Sequence, residues 1–167
     1  MKYAGIQEND IADGVNGICV SFWVSGCPFH CEGCHNQELW DFNYGDDLPE
    51  DYLQRLDKSL NANGIDRSLS ILGGEPLCKE NRQLVKTIVE YVRNKYSNKT
   101  IALWTGYLYE DLLAENDDSL NFILHNIDIL IDGPYDKNQR DLRLKLRGSA
   151  NQRILHLKNG VIEQIEK

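Results

Sequence analysis

Positions 18–25, Ile-Cys-Val-Ser-Phe-Trp-Val-Ser, form an almost unbroken apolar run, the pattern of a strand covered on both faces. Shorter runs of the same character recur at 68–72, 100–104 and 127–131. Between them the spacing of apolar positions lengthens to a helical period. Leu53, Leu56 and Leu60 share one face of a helix predicted over 49–60, with Pro49 tolerated in its first turn. Positions 61–64, Asn-Ala-Asn-Gly, break it. A longer helix over 79–96 turns Leu84, Ile88, Tyr91 and Val92 toward the core, and two shorter ones are predicted over 108–114 and 119–125. Near the end, 154–157 and 161–165 flank Lys158-Asn159-Gly160, a hairpin signal.

Strands alternating with helices predict an α/β fold with a largely parallel sheet. In such sheets binding loops gather at the carboxyl ends of the strands, so the segments after each apolar run are expected to converge. Those segments are a cysteine-rich loop, then Gly73-Gly74-Glu75-Pro76, then Thr105-Gly106, then Asp132-Gly133-Pro134.

Composition narrows the class without naming the chemistry. A length of 167 residues suits one hydrophobic core, so a single domain over 1–167 is expected. A hydrophobic fraction of 41% with 26% charged residues excludes a disordered chain. The 26 acidic residues outnumber 18 basic ones, and a net charge of -8 disfavours nucleic acid as the partner. No stretch approaches the ~20 apolar residues of a spanning helix, and Met1-Lys2-Tyr3 opens no apolar leader, so a cytoplasmic location away from membranes is expected.

The chemistry is concentrated at Cys27, Cys31 and Cys34, spaced Cys-x3-Cys-x2-Cys. The chain has five cysteines, an odd number, and three crowd together, which fits a disulfide framework poorly and reduced thiolates well. Three thiolates at this spacing suit one iron–sulfur cluster with a metal corner free of protein. The competing reading is a structural zinc site with a fourth ligand from His30, His35, Cys19 or Cys78. Closed zinc sites usually draw on two close ligand pairs, and no second such pair is present. Cys19 and Cys78 read as small buried apolar residues. His125 and His156 have no companions that would make a site, and Trp104 reads as a core aromatic.

Taken with the triplet, Gly73-Gly74-Glu75-Pro76 resembles the Gly-Gly-Glu-Pro motif of the radical S-adenosylmethionine superfamily. The resemblance implies an incomplete (β/α) barrel with a C-terminal hairpin, since a full eightfold barrel takes about 250 residues. It implies that Cys27, Cys31 and Cys34 hold three irons of one [4Fe–4S] cluster and that S-adenosyl-L-methionine chelates the fourth. Gly73, Gly74 and Glu75 are expected to meet the methionine ammonium. Gly33, Cys34, His35, Thr105 and Asp132 are expected in the cofactor pocket. An aromatic residue often precedes the third cysteine in this superfamily, and here Gly33 stands in its place.

Glu32-Gly33-Cys34-His35-Asn36 followed by Trp40 looks like a narrower branch, the activating proteins of anaerobic ribonucleotide reductases. Trp104-Thr105-Gly106-Tyr107, the Asp132-Gly133 stretch and Arg147-Gly148-Ser149-Ala150-Asn151-Gln152 resemble further motifs of that branch, whereas Asp13-Gly14-Val15-Asn16-Gly17 departs from its usual Asn-Gly-Pro-Gly. The branch implies an enzyme that leaves a glycyl radical on the large subunit of an anaerobic ribonucleoside-triphosphate reductase, with a reduced flavodoxin or similar protein as electron donor. Arg147, Asn151 and Arg153 are expected to dock that partner. The rivals are activation of another glycyl-radical enzyme, a radical rearrangement of a small molecule, and a zinc-binding adaptor without catalysis.

Overall fold

The computed structural model describes residues 1–166, arranged around an eight-stranded open sheet. Its strands are β1 (Lys2–Asp10), β2 (Cys19–Val24), β3 (Asp46–Asp47), β4 (Ser68–Gly73), β5 (Ile101–Trp104), β6 (Ile129–Asp132), β7 (Arg153–Lys158) and β8 (Val161–Glu166), in the spatial order β3-β1-β2-β4-β5-β6-β7-β8. β2, β4, β5 and β6 run parallel. They are the four apolar runs of the sequence, and they form the mixed, partial-barrel architecture expected. β7 and β8 make the C-terminal hairpin, with β7 antiparallel to β6.

The helices are α1 (Tyr52–Leu60), α2 (Lys79–Lys95), α3 (Tyr109–Glu115) and α4 (Asp118–Asn126). Each lies within a residue or so of its predicted span except α1, which starts at Tyr52 rather than Pro49. None is long and apolar enough to cross a membrane.

Two strands were not foreseen. β1 lies antiparallel to β2 and is itself edged by the two-residue β3. Most of its residues are half-buried, and its register slips between Tyr3 and Gly5 and again between Gln7 and Asp10. Gly5, at φ +128, supplies the backbone for the first irregularity. An edge strand so interrupted shows little of the alternation by which strands are recognised.

The sheet's two faces differ. On one, Val20, Phe22 and Val24 of β2, Leu69 and Ile71 of β4, and Ile101 and Leu103 of β5 pack against Leu56 and Leu60 of α1 and Leu84, Val85, Ile88, Val89 and Val92 of α2. The alternate residues form the other face, where Ser21 and Ser70 are fully buried beside a small cluster of Ala102, Ile129, Ile131 and Ile154. Loops cover this second face: Val15 and Leu146 pack on it, and the Ser70 hydroxyl donates to the Asp13 carbonyl at 2.7 Å.

Candidate cluster and cofactor site

Because β2, β4, β5 and β6 are parallel, their carboxyl ends share one rim. The loops that leave it enclose a cavity of about 190 Å³. Cys27, Cys31 and Cys34 line it together with Gly73, Gly74, Glu75 and Thr105. Those seven expected residues are brought together from three loops. Gly33 and His35 are exposed and, like Asp132, Arg147, Asn151 and Arg153, do not line it.

The cysteine loop is tied at its two ends. The Gly26 amide donates to the Leu39 carbonyl at 2.9 Å and the Cys27 amide to that of Trp40 at 3.2 Å, so residues 27–39 return on themselves. Within it the Cys34 amide donates to the Cys31 carbonyl at 3.1 Å, and His30 and Gly33 take positive φ values of 49° and 78° at the bends.

All three thiols are free and partly exposed. Burial pushes Cys27 up to about 11 and raises Cys31, so without metal both hold their protons. Main-chain amides oppose that effect: those of Phe29 and His30 favour the Cys27 thiolate and that of Tyr135 the Cys31 thiolate. The Asn36 amide donates to the Cys34 sulfur at 3.4 Å. Each sulfur therefore has a backbone donor suited to a metal-bound thiolate, which is how proteins tune iron–sulfur ligands. Among the described residues no three His, Cys, Asp or Glu side chains converge as one metal ion would require. Thiols around a shared cavity, each for a different iron, fit a polynuclear cluster.

The glycine pair after β4 owes its composition to close packing. A Cβ on Gly74 would stand 2.3 Å from the Gly26 carbonyl oxygen, and one on Gly73 2.6 Å from that of Val24. Gly73 also has φ +114. Without side chains the two main chains come together, and the Gly74 and Glu75 amides donate to Val24 and Gly26 at 2.9 and 2.8 Å. Asn81, buried in the first turn of α2, donates to the carbonyls of Ser25 and Glu75, both at 3.0 Å.

Glu75 is only 2% exposed. Its carboxylate accepts from the Thr105 hydroxyl at 2.6 Å, the Gly106 amide at 2.7 Å and the Leu77 amide at 2.9 Å. Burial pushes its pKa up to about 7 in spite of these donors. Glu75 and Thr105, expected as separate ligand contacts, are thus bonded to each other and join the β4 loop to the β5 loop.

Asp132 and Arg153 are likewise partners. Asp132 is fully buried and accepts from Arg153 Nε at 2.9 Å and from the Tyr109 amide at 2.9 Å. Arg153 also pairs with Glu110, at 2.8 Å. Arg147 donates to the Gln152 carbonyl at 3.2 Å and Asn151 to that of Pro134 at 2.7 Å. The polar groups of the tail hold the 133–153 segment together. Cys19 and Cys78 are buried, the latter with its thiol on the Glu75 carbonyl at 3.2 Å.

Sequence reasoning missed the aromatic wall of the cavity, made by Phe29, Trp40, Trp104 and Tyr135. Three glycines make room for aromatic rings at or near the cavity. A Cβ on Gly106 would come within 2.9 Å of the Phe29 ring, one on Gly148 within 3.0 Å of Tyr135, and one on Gly26 within 2.0 Å of Phe42. Tyr135 also stands 3.5 Å from the Cβ position of Gly33. A ring from the loop after β6 thus stands beside the position before the third cysteine. Trp40 stacks on His30 with ring centres 4.6 Å apart, and its indole N–H is buried with no acceptor among the described residues. An orphaned donor in the cavity wall is what a missing ligand leaves behind. The available signal was the recurrence of glycines in loops that also carry aromatic residues.

Residues 12–155 match the family model of the 4Fe-4S single cluster domain. Three proteins bearing the name anaerobic ribonucleoside-triphosphate reductase-activating protein are similar along nearly their whole length. That of Vibrio cholerae is 37% identical over 93% of this chain and 97% of its own. The protein of Enterobacteria phage T4 is 34% identical over 96% of this chain and 97% of its own, and that of Haemophilus influenzae 37% over 93% and 97%. A cluster-type cysteine loop on a partial barrel and end-to-end similarity to these proteins agree: the chain belongs to the family of anaerobic ribonucleoside-triphosphate reductase-activating proteins.

Proposed function

We propose that this protein activates an anaerobic ribonucleoside-triphosphate reductase by placing a glycyl radical on its large subunit. The observation that carries the reading is the convergence of three amide-supported thiols and the glycine-lined main chain on one cavity. When bound, a reduced [4Fe–4S] cluster and S-adenosyl-L-methionine supply a one-electron cleavage whose adenosyl radical can abstract a hydrogen atom from a glycine Cα.

Cys27, Cys31 and Cys34 would hold the cluster as thiolates. Gly73 and Gly74 bare the main chain along one wall for the methionine end of the cofactor. Tyr135 offers a ring on the wall near Gly33, where an adenine can pack. Glu75 and Thr105 keep the β4 and β5 loops at fixed separation, a positioning role. A single domain carries the whole site, and its electron comes from a reduced flavodoxin or a protein like it. Reduced thiols at the site go with a cytoplasmic location.

Anaerobically reconstituted protein incubated with S-adenosyl-L-methionine, a reductant and the reductase is expected to give the doublet of a glycyl radical by electron paramagnetic resonance. Protein that took up zinc but neither iron nor sulfide would overturn the reading. So would cofactor cleavage that leaves no radical on the reductase.

A further inference from the structure

Between Tyr135 and Gln152, which both line the cavity, the chain leaves the sheet and returns as a finger. Its charge runs against that of the molecule. Residues 136–147 hold five bases, Lys137, Arg140, Arg143, Lys145 and Arg147, against two acids, Asp136 and Asp141, within a chain whose net charge is -8. The segment carries 5 − 2 = +3, so the remainder carries −8 − 3 = −11.

The root of the finger is fixed. The Ala150 amide donates to the Gln139 carbonyl at 2.9 Å, that of Asp141 to Gly148 at 3.3 Å, and Arg140 and Ser149 form an antiparallel bridge. Ser149 is fully buried and accepts from the Asp136 amide at 3.1 Å, and Trp104 donates its indole N–H to the Leu146 carbonyl at 2.8 Å.

The tip contrasts with this root. Leu142 is 81% exposed, the most exposed large apolar side chain among the described residues. Arg140 and Lys145 are exposed and make no side-chain hydrogen bond or ion pair among the described residues. Among the described residues Arg143 pairs only with its neighbour Asp141, and its side chain is 90% exposed. An apolar knob among free bases, on a root braced against the cavity wall, is poorly explained as a solvated turn. It has the makeup of a contact site: an anchor that gains by desolvation, ringed by charges that steer.

We infer that this finger, through Arg140, Leu142 and Lys145, is the surface that grips the reductase, on an acidic patch beside its glycine-bearing segment. The inference rests on the activase reading, which requires that segment to reach the cavity whose wall the finger extends. It moves the docking role away from Arg147, Asn151 and Arg153, each of which is half-buried and donates to another group of the protein.

The test measures association of the cluster-loaded protein with its anaerobic reductase across a salt series, alongside cleavage of S-adenosyl-L-methionine in the reductase's absence. The double variant Arg140→Glu/Lys145→Glu is expected to weaken association about tenfold or more and to flatten its salt dependence. Leu142→Ser should weaken it several-fold with the salt dependence kept. Both should cleave the cofactor at the wild-type rate and melt at the wild-type temperature, because the changed side chains are exposed. The control Lys58→Glu/Lys158→Glu reverses two exposed bases elsewhere and should bind normally. Unchanged affinity in the finger variants would refute the inference, as would equal weakening by the control. Normal reductase binding with slower reduction by a protein electron donor would also overturn it, since the finger would then serve the donor. If the wild-type protein neither cleaves the cofactor nor binds the reductase, the activase reading itself fails and the finger's assignment falls with it.

Discussion

The two faces of the central sheet are built on the same four parallel strands and to different ends. Toward the helices, β2, β4 and β5 present Val20, Phe22, Val24, Leu69, Ile71, Ile101 and Leu103, all fully buried. On the opposite face, the same strands present Cys19, Ser21, Ser70 and Ala102, also fully buried but small or polar. The first face gains its stability from apolar area removed from water. The second gives up much of that gain for space, and loops from both ends of the chain fill it. Stability and chemistry are thus separated across the thickness of one sheet, with the cluster loop rooted at the rim between them.

The separation is open to attack from either side. Changing Cys27, Cys31 or Cys34 singly to Ala should have the largest effect on function, eliminating 5′-deoxyadenosine formation. The melting temperature of the metal-free protein should hardly move, because these partly exposed thiols contribute little packing. A metal-free variant that failed to fold would show the loop and the core to be one unit.

Phe22→Ala, on the helix-covered face, should cost about 3–5 kcal/mol in denaturant titration. Its neighbour across the sheet, Ser21→Ala, should cost about 1 kcal/mol, for the lost 2.9 Å hydrogen bond from the Trp23 indole. Equal costs would erase the distinction between the faces.

At the rim, Gly106→Ala drives a methyl group toward the Phe29 ring, 2.9 Å from the Cβ position, and should cost roughly 1–3 kcal/mol. Phe29→Leu in the same chain should return part of that cost, and a double-mutant cycle would measure the coupling. Additive effects would show that the ring does not depend on the glycine.

A further effect, which depends on pH, lies at the far end of the sheet. Burial, then a hydrogen bond and charge repulsion from Asp10, push Asp13 up from 3.8 to about 7. A carboxyl whose folded pKa is raised contributes stability that is complete below its unfolded pKa and is lost as pH rises through the folded one. The melting midpoint should therefore fall by roughly 5 °C between pH 5 and pH 8, and Asp13→Asn should flatten the decline. A midpoint that rose over this interval would contradict the assignment.

The parallel strands were legible because burial on both faces writes a continuous apolar run, and their C-terminal motifs followed from topology. β1 was not legible: it is a half-buried, twice-interrupted edge whose pairing depends on β2 rather than on its own pattern. At the site, the meeting of the three cysteines at one cavity could be read from their close spacing in a single loop. The partnerships of Glu75 with Thr105 and Asp132 with Arg153 could not, because each joins residues from separate strand ends. A buried polar residue and a ligand-binding one look alike in sequence, and only the three-dimensional partner tells them apart.

Gly106 and Gly148 have ordinary backbone angles, yet Gly106 leaves space for a ring from another loop and Gly148 for one from the other end of its own loop. Neither position can change alone without cost, so the evolutionary histories of these loops are linked. Across relatives, the residue at position 106 should vary together with that at 29, and the residue at 148 with that at 135. Such paired changes would be invisible to a comparison that treats each motif separately, and a redesign of the cavity will have to move glycine and ring in one step.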